Sequence, residues 1–184
     1  MLMASQLNEA IGSWVIRSVL LQVITSAKDP RVLLTLDDSA RPAFPFHGGQ
    51  LLPTRTIKPI GLPLAAFPTL VIHVAAHHES WADALERTRE WMAASSAVQI
   101  AAGLVARGKK TRQLVWLARD PSGQVTEQLV DFHDASSSKP SQVSFYLAAL
   151  YAGTTLPPSL EQHADTEIKL ELSELREYIE ELVQ

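Results

Sequence analysis

The chain contains no cysteine, which excludes disulfides, thiolate zinc sites and a cysteine nucleophile. It is also poor in charge. Asp, Glu, Lys and Arg make up 20% of its 184 residues, the net charge is −4 and the pI is about 5.8. There is no global basic field to recruit nucleic acid, so any such contact needs a local patch. Long apolar runs are missing as well. The stretch Ile11 to Thr25 is interrupted by Gly12, Ser13, Arg17, Ser18 and Gln22 and reads as too short for a membrane span. It also lacks the basic, apolar and small-residue order of an export signal. The expectations are no membrane contact and an intracellular location, cytoplasmic or nuclear. Aromatics are sparse at 7%. Trp14, Trp81, Trp91 and Trp116 stand at amphipathic positions and read as core, with no base-stacking platform.

What is present suits one core. Hydrophobic residues make up 46% of the sequence, enough for a single domain over 1–184. Leu7, Ile11, Trp14, Val15, Val19 and Val23 recur at helical spacing, predicting a helix over 5–27 that Asp29-Pro30 closes. Val32 to Leu36 reads as a short strand. The insert over 39–68 is punctuated by prolines and glycines, with short strands at Gln50–Leu52 and Arg55–Lys58.

The core follows over 68–132. Leu70 to Ala75 is an apolar strand interrupted only by His73. A helix over 80–94 carries Trp81, Leu85, Thr88 and Met92 on one face, with Ala84 and Trp91 at its margins. Val98–Ala106, Gln113–Ala118 and Gln124–Phe132 read as strands. Asp134–Pro140 is a loop, and Val143–Leu150 fits strand or helix equally. A strand and a helix over 166–184 close the chain, with Leu175, Tyr178, Ile179 and Leu182 as the buried stripe. The order predicts an α/β fold with a central mixed sheet flanked by helices. A strand apolar on both faces is covered on both sides.

Several residues carry potential chemistry. A histidine in a buried strand must be satisfied or used. His73, His77 and His78 suggest a soft-metal site or an acid/base pair, or else one satisfied core histidine and two on a loop. Residues 73 and 77 lie roughly 13 Å apart on an extended strand, too far for one ion unless the chain turns. Asp83 and Arg87, spaced i and i+4, read as a helix-surface ion pair or as members of a site beside His73. Arg107, Lys109, Lys110 and Arg112 form the dense positive cluster, which fits phosphate binding or a solvated turn. His47-Gly48-Gly49 lacks the Lys-Ser/Thr of a phosphate loop, and His133-Asp134 has no serine partner. No cofactor is implied.

Taken together, Lys58-Pro59, the strand Leu70-Val71-Ile72 leading into His73-Val74, the turn Ala75–Ser80, and Asp83, Arg87 and Trp91 at fixed intervals resemble the PD-(D/E)XK, or restriction-endonuclease-like, superfamily. The likeness is to a bacterial group of candidate restriction endonucleases and its fungal relatives. Tyr151-Ala152-Gly153, a proline-rich loop and the closing Ser173-Glu174-Leu175-Arg176 helix resemble the fungal members. The resemblance covers roughly the last two thirds of the chain.

The resemblance implies a divalent metal held between an Asp after Lys-Pro and an acid on the next strand, with a helix Lys nearby. Here Ile60 follows Lys58-Pro59, His73 stands at the strand acid and Arg87 at the helix Lys. Magnesium prefers oxygen ligands, and arginine does not act as a base at working pH. The expectation is a domain without a metal site that no longer cuts nucleic acid and serves as a binding or assembly module, self-associating as a homodimer. Two other readings stay open. One is a small-molecule enzyme of acid/base or isomerase type around His73. The other is a nuclease whose site has migrated to Asp37, Asp38 or Glu79.

Overall fold

The computed structural model describes residues 4–40, 43–46, 49–75, 78–107, 111–133 and 142–183. The N-terminal periodicity forms α1 (Ala4–Ala27), with Ile11, Val15, Ile16, Val19 and Val23 at most 2% exposed. At 24 residues, or about 36 Å, the helix is longer than the interrupted apolar run suggests. By length and composition it is long and apolar enough to cross a membrane. In the structure its apolar stripe lies in the protein core.

Val32 to Leu36 does not form the expected strand. Pro30 opens a 3-10 helix (Pro30–Thr35) because its fixed φ suits a helical start. The Asp29 side chain accepts the Arg31 backbone N–H at 3.0 Å, and the Thr35 hydroxyl donates to the Val32 carbonyl. The first strand, β1, begins only at Leu36 and runs to Ala40. The proline-rich segment supplies a short hairpin, β2 (Phe44–Phe46) and β3 (Gly49–Leu51), followed by β4 (Arg55–Pro59).

The remaining core elements are β5 (Leu70–Val74), α2 (Trp81–Ala94), β6 (Ile100–Arg107), β7 (Thr111–Arg119) and β8 (Val125–Asp131). They complete a six-stranded sheet in the order β1-β4-β5-β6-β7-β8. β5 and β6 are parallel and the other neighbours antiparallel. A parallel pair requires a crossover, and α2 is that crossover. The ambiguous stretch after residue 142 divides into β9 (Gln142–Tyr146) and a 3-10 turn (Leu147–Tyr151). β9 pairs with β10 (Glu167–Glu171), and α3 (Leu172–Leu182) ends the described chain.

Side chains alternate across the sheet, so each strand feeds two cores. Ile57, Leu70, Ile72, Ile100, Ala102, Leu114 and Trp116 pack with α1, α3 and the β9–β10 pair. Val71, Ala101, Val115 and Leu117 pack with Trp91 and Met92 of α2 and with Phe44 and Leu51 of the hairpin. Every residue of β5 is buried, as a strand covered on both faces requires. The buried face of α2 is Ala84, Thr88, Trp91 and Met92. Trp81 and Leu85, expected at its centre, are only half-buried, so the helix is rotated from the sequence reading.

Gly103 explains that rotation. A Cβ there would sit against the Thr88 hydroxyl, 2.7 Å from Val115 Cγ1 and 3.2 Å from the Ala84 carbonyl oxygen. α2 crosses β6 where the sheet has no side chain. Gly103→Ala is therefore expected to destabilise the protein by about 1–3 kcal/mol through overpacking. Denaturant unfolding of the variant checks this, and an unchanged midpoint would rule the close crossing out.

Candidate functional site

His73 is the fourth residue of β5 and shares its sheet face with Val71, toward α2. In the parallel register it lies beside Gly103, where the bare backbone admits the helix. Its imidazole Nε2 lies 2.9 Å from Glu79 Oε1, with both side chains about nine-tenths buried. Arg87 Nε lies 3.3 Å from the same carboxylate oxygen, with its side chain 40% exposed. One carboxylate oxygen therefore faces two basic groups. The other ring nitrogen of His73, Nδ1, is buried without a hydrogen-bond partner among the described residues. Asn8 of α1 donates to the Ala75 carbonyl at 3.0 Å, which holds the exit of β5 in place.

The cap of α2 sets Glu79 and Arg87 relative to one another. Ser80 and Asp83 form a reciprocal capping box: the Asp83 carboxylate accepts the Ser80 backbone N–H at 2.8 Å and its hydroxyl at 2.7 Å, while Ser80 Oγ accepts the Asp83 N–H at 3.1 Å. Glu79 is thus fixed just before the helix, and Arg87 two turns into it. The expected Asp83–Arg87 ion pair does not form. Asp83 is exposed and caps the helix, and Arg87 turns to Glu79. The Ser80 hydroxyl, then its backbone N–H, and then the Arg87 charge hold the Asp83 carboxyl below its ordinary value of 3.8.

The strand register changes which residue stands opposite His73. Two acids that share a metal must be neighbours across adjoining strands, and Ile60 is not a neighbour. It is 58% exposed at the far end of β4, beyond the pairing of Ile57 with Leu70. Thr54 is the neighbour. Its N–H donates to the Ile72 carbonyl at 2.8 Å and its hydroxyl accepts the Val74 N–H at 2.9 Å. Six residues of extended chain, about 20 Å, separate the two positions. The strand pairing therefore sets Pro53-Thr54, and not Pro59-Ile60, beside His73. Either way the residue has no carboxylate. Lys58 is buried on β4, its Nζ 3.3 Å from the Pro63 carbonyl oxygen and 3.4 Å from that of Leu64.

The other candidates scatter. His77, Lys109, Lys110 and Asp134 lie outside the described residues, and His78 is exposed on the turn before α2. Arg107 is half-buried. Arg112 turns inward, 1% exposed, and pairs with Glu180 of α3 at 2.7 Å. It ties β7 to α3 instead of facing solvent. His133 pairs with Asp131 at 2.6 Å on the surface. Of the acids considered for a migrated site, Asp38 pairs with Arg55 at 2.7 Å and Asp37 accepts from the Ser39 hydroxyl. Both sit on β1, two strands from His73. Among the described residues, no three of His, Asp and Glu gather closely enough to hold a metal ion.

Sequence reasoning named Glu79 only as an acid for a migrated nuclease, and missed it as the partner of His73. It missed Thr54 altogether. The signal for Thr54 was a Pro-Thr pair immediately before a strand.

No protein-family model matches the chain, and no curated protein matches it. A structural match is found with a candidate nuclease belonging to DUF820 from Anabaena variabilis ATCC 29413, solved by crystallography. The match has a TM-score of 0.51 at 10% identity and covers 97% of this chain and 84% of that one. At that identity the likeness speaks for the fold. The chain shares the mixed α/β fold of that protein, a central mixed sheet flanked by helices as the restriction-endonuclease resemblance implied.

Two outcomes follow. Glu79→Ala leaves a buried imidazole unpaired and is expected to cost about 1–3 kcal/mol of stability; equal unfolding midpoints would show the contact to be idle. The folded pKa of Asp83 lies below its unfolded value. The cap therefore contributes fully above that unfolded value and loses its contribution as pH falls through the lower folded one. Asp83→Asn should flatten the fall in stability below about pH 4, measured by thermal unfolding across pH. A steeper fall would reverse the sign.

Proposed function

We propose that this is a restriction-endonuclease-like domain that has lost metal-dependent phosphodiester cleavage and works as an intracellular binding or assembly module, self-associating as a homodimer. One observation carries the loss of cleavage. Where a nuclease of this architecture needs two neighbouring carboxylates, this chain has the hydroxyl of Thr54 and the imidazole of His73. The nearby carboxylate of Glu79 already faces the imidazole and the Arg87 guanidinium. Binding a hard divalent cation there would require displacing both. The surviving scaffold supports a role that needs the shape of the domain without its hydrolysis. The low charge and net −4 weigh against a broad nucleic-acid surface.

A second reading has its own observation. With Nε2 turned to Glu79, the unpartnered Nδ1 of His73 resembles an oriented base, as in a carboxylate–histidine pair. Acid/base chemistry on a small molecule would require a movement that opens this buried nitrogen to a substrate.

Incubating the protein with single- and double-stranded DNA and RNA, over magnesium and manganese, separates these readings from a working nuclease. The expected outcome is no cleavage above the buffer control. Metal-dependent cleavage that disappears in His73→Ala would overturn the proposal.

A further inference from the structure

A concavity lies away from His73, on the other face of the sheet. It is a cleft of about 690 Å³ between the β7–β8 turn, β9 and the 3-10 turn that follows β9. His73 stands in the row of Gly103 and Val115, whereas the cleft reaches the row of Ile100, Ala118 and Thr126. Three residues separate the rows, about 10 Å along the strands. Alternation places Ala118, like its neighbour Ile100, on the face opposite α2.

The hollow exists because its wall is built from small residues. Ala118, Ala149 and Ala152 line it, with Phe145 of β9 at its floor. Tyr146 also lines it and remains 53% exposed, an aromatic surface at the edge of a concavity. A volume of this size that combines an apolar alanine wall with charged groups at its rim suits a small amphipathic organic ligand.

The charges select the ligand class. Asp120, Asp165 and Glu167 all line the cleft. Asp120 is occupied by the backbone N–H groups of Ser122 and Gln124 and by the Ser122 hydroxyl. Glu167 accepts from the Ser144 hydroxyl and pairs with Lys169. Asp165 is exposed and has no such partner among the described residues. The one cationic residue of the lining, Arg119, donates to the carbonyl oxygens of Val98, Gly123 and Met92. An anionic ligand would meet three carboxylates and a guanidinium already committed elsewhere.

The geometry points to a site for a small organic amine with an aryl or alkyl body. The body fills the alanine-lined hollow, and the ammonium group meets Asp165 beside the exposed ring of Tyr146. A cation over an aromatic face beside a carboxylate is held by both. The site is independent of whether His73 retains any chemistry.

Titration calorimetry with phenethylamine and with 3-phenylpropanoate tests this on the full chain. The amine is expected to bind at sub-millimolar to millimolar concentration and the carboxylate at least tenfold more weakly. Asp165→Asn and Thr126→Arg, both surface changes, should each weaken amine binding at least tenfold while leaving the unfolding midpoint unchanged. Equal affinity for the two ligands, no binding of the amine up to 10 mM (roughly the weak end of useful small-ligand affinity), or unchanged affinity in Asp165→Asn would overturn the assignment.

Discussion

Helix α2 approaches the sheet closely only because residue 103 has no side chain, and the rest of the candidate site follows from that approach. Thr88 and Ala84 settle over the bare backbone of β6. The helix axis is thereby fixed relative to β5, the strand on the other side of the crossover. The Ser80–Asp83 box fixes where the helix begins. With both constraints in place, Glu79 and Arg87 arrive beside His73. A bulkier residue at 103 would lift α2 and pull that cluster apart.

The cluster is balanced in charge, although His73 Nδ1 stays buried without a hydrogen-bond partner among the described residues. Burying a histidine is costly unless its nitrogens find partners, and Glu79 supplies one while drawing in Arg87 as counter-charge. Here a negative side chain is balanced by basic groups from the same chain. Thr54 is likewise engaged on the adjoining strand. Its hydroxyl accepts a backbone N–H and thereby completes the pairing of β4 with β5.

The sequence made some of this legible and concealed the rest for physical reasons. Leu70 to Val74 could be read because a strand buried on both faces must be apolar throughout, and a lone histidine in it stands out. The crossover followed from a helical period between two such strands. The register of β4 was hidden, because a proline-rich segment has no period to show which of its residues, Thr54 or Ile60, comes to lie beside His73. Glu79 escaped because a carboxylate six residues from a histidine becomes its neighbour only when the chain turns. Arg112 looked like part of a solvated basic turn, and its partner Glu180 is 68 residues away. Val32 to Leu36 had the composition of a strand, but Pro30 and Asp29 had already committed the backbone to a helical turn.

Between β4 and β5 the side chains of Thr54, His73 and Glu79 are engaged by hydrogen bonds and an ion pair within the protein, and under the proposed function they leave no seat for a divalent ion. Paramagnetic broadening of amide and imidazole resonances during titration with manganese measures this most directly. Signals from Thr54, His73 and Glu79 are expected to keep their intensity at manganese concentrations that broaden exposed acidic positions. Selective broadening of those three signals, abolished by Glu79→Gln, would contradict that expectation.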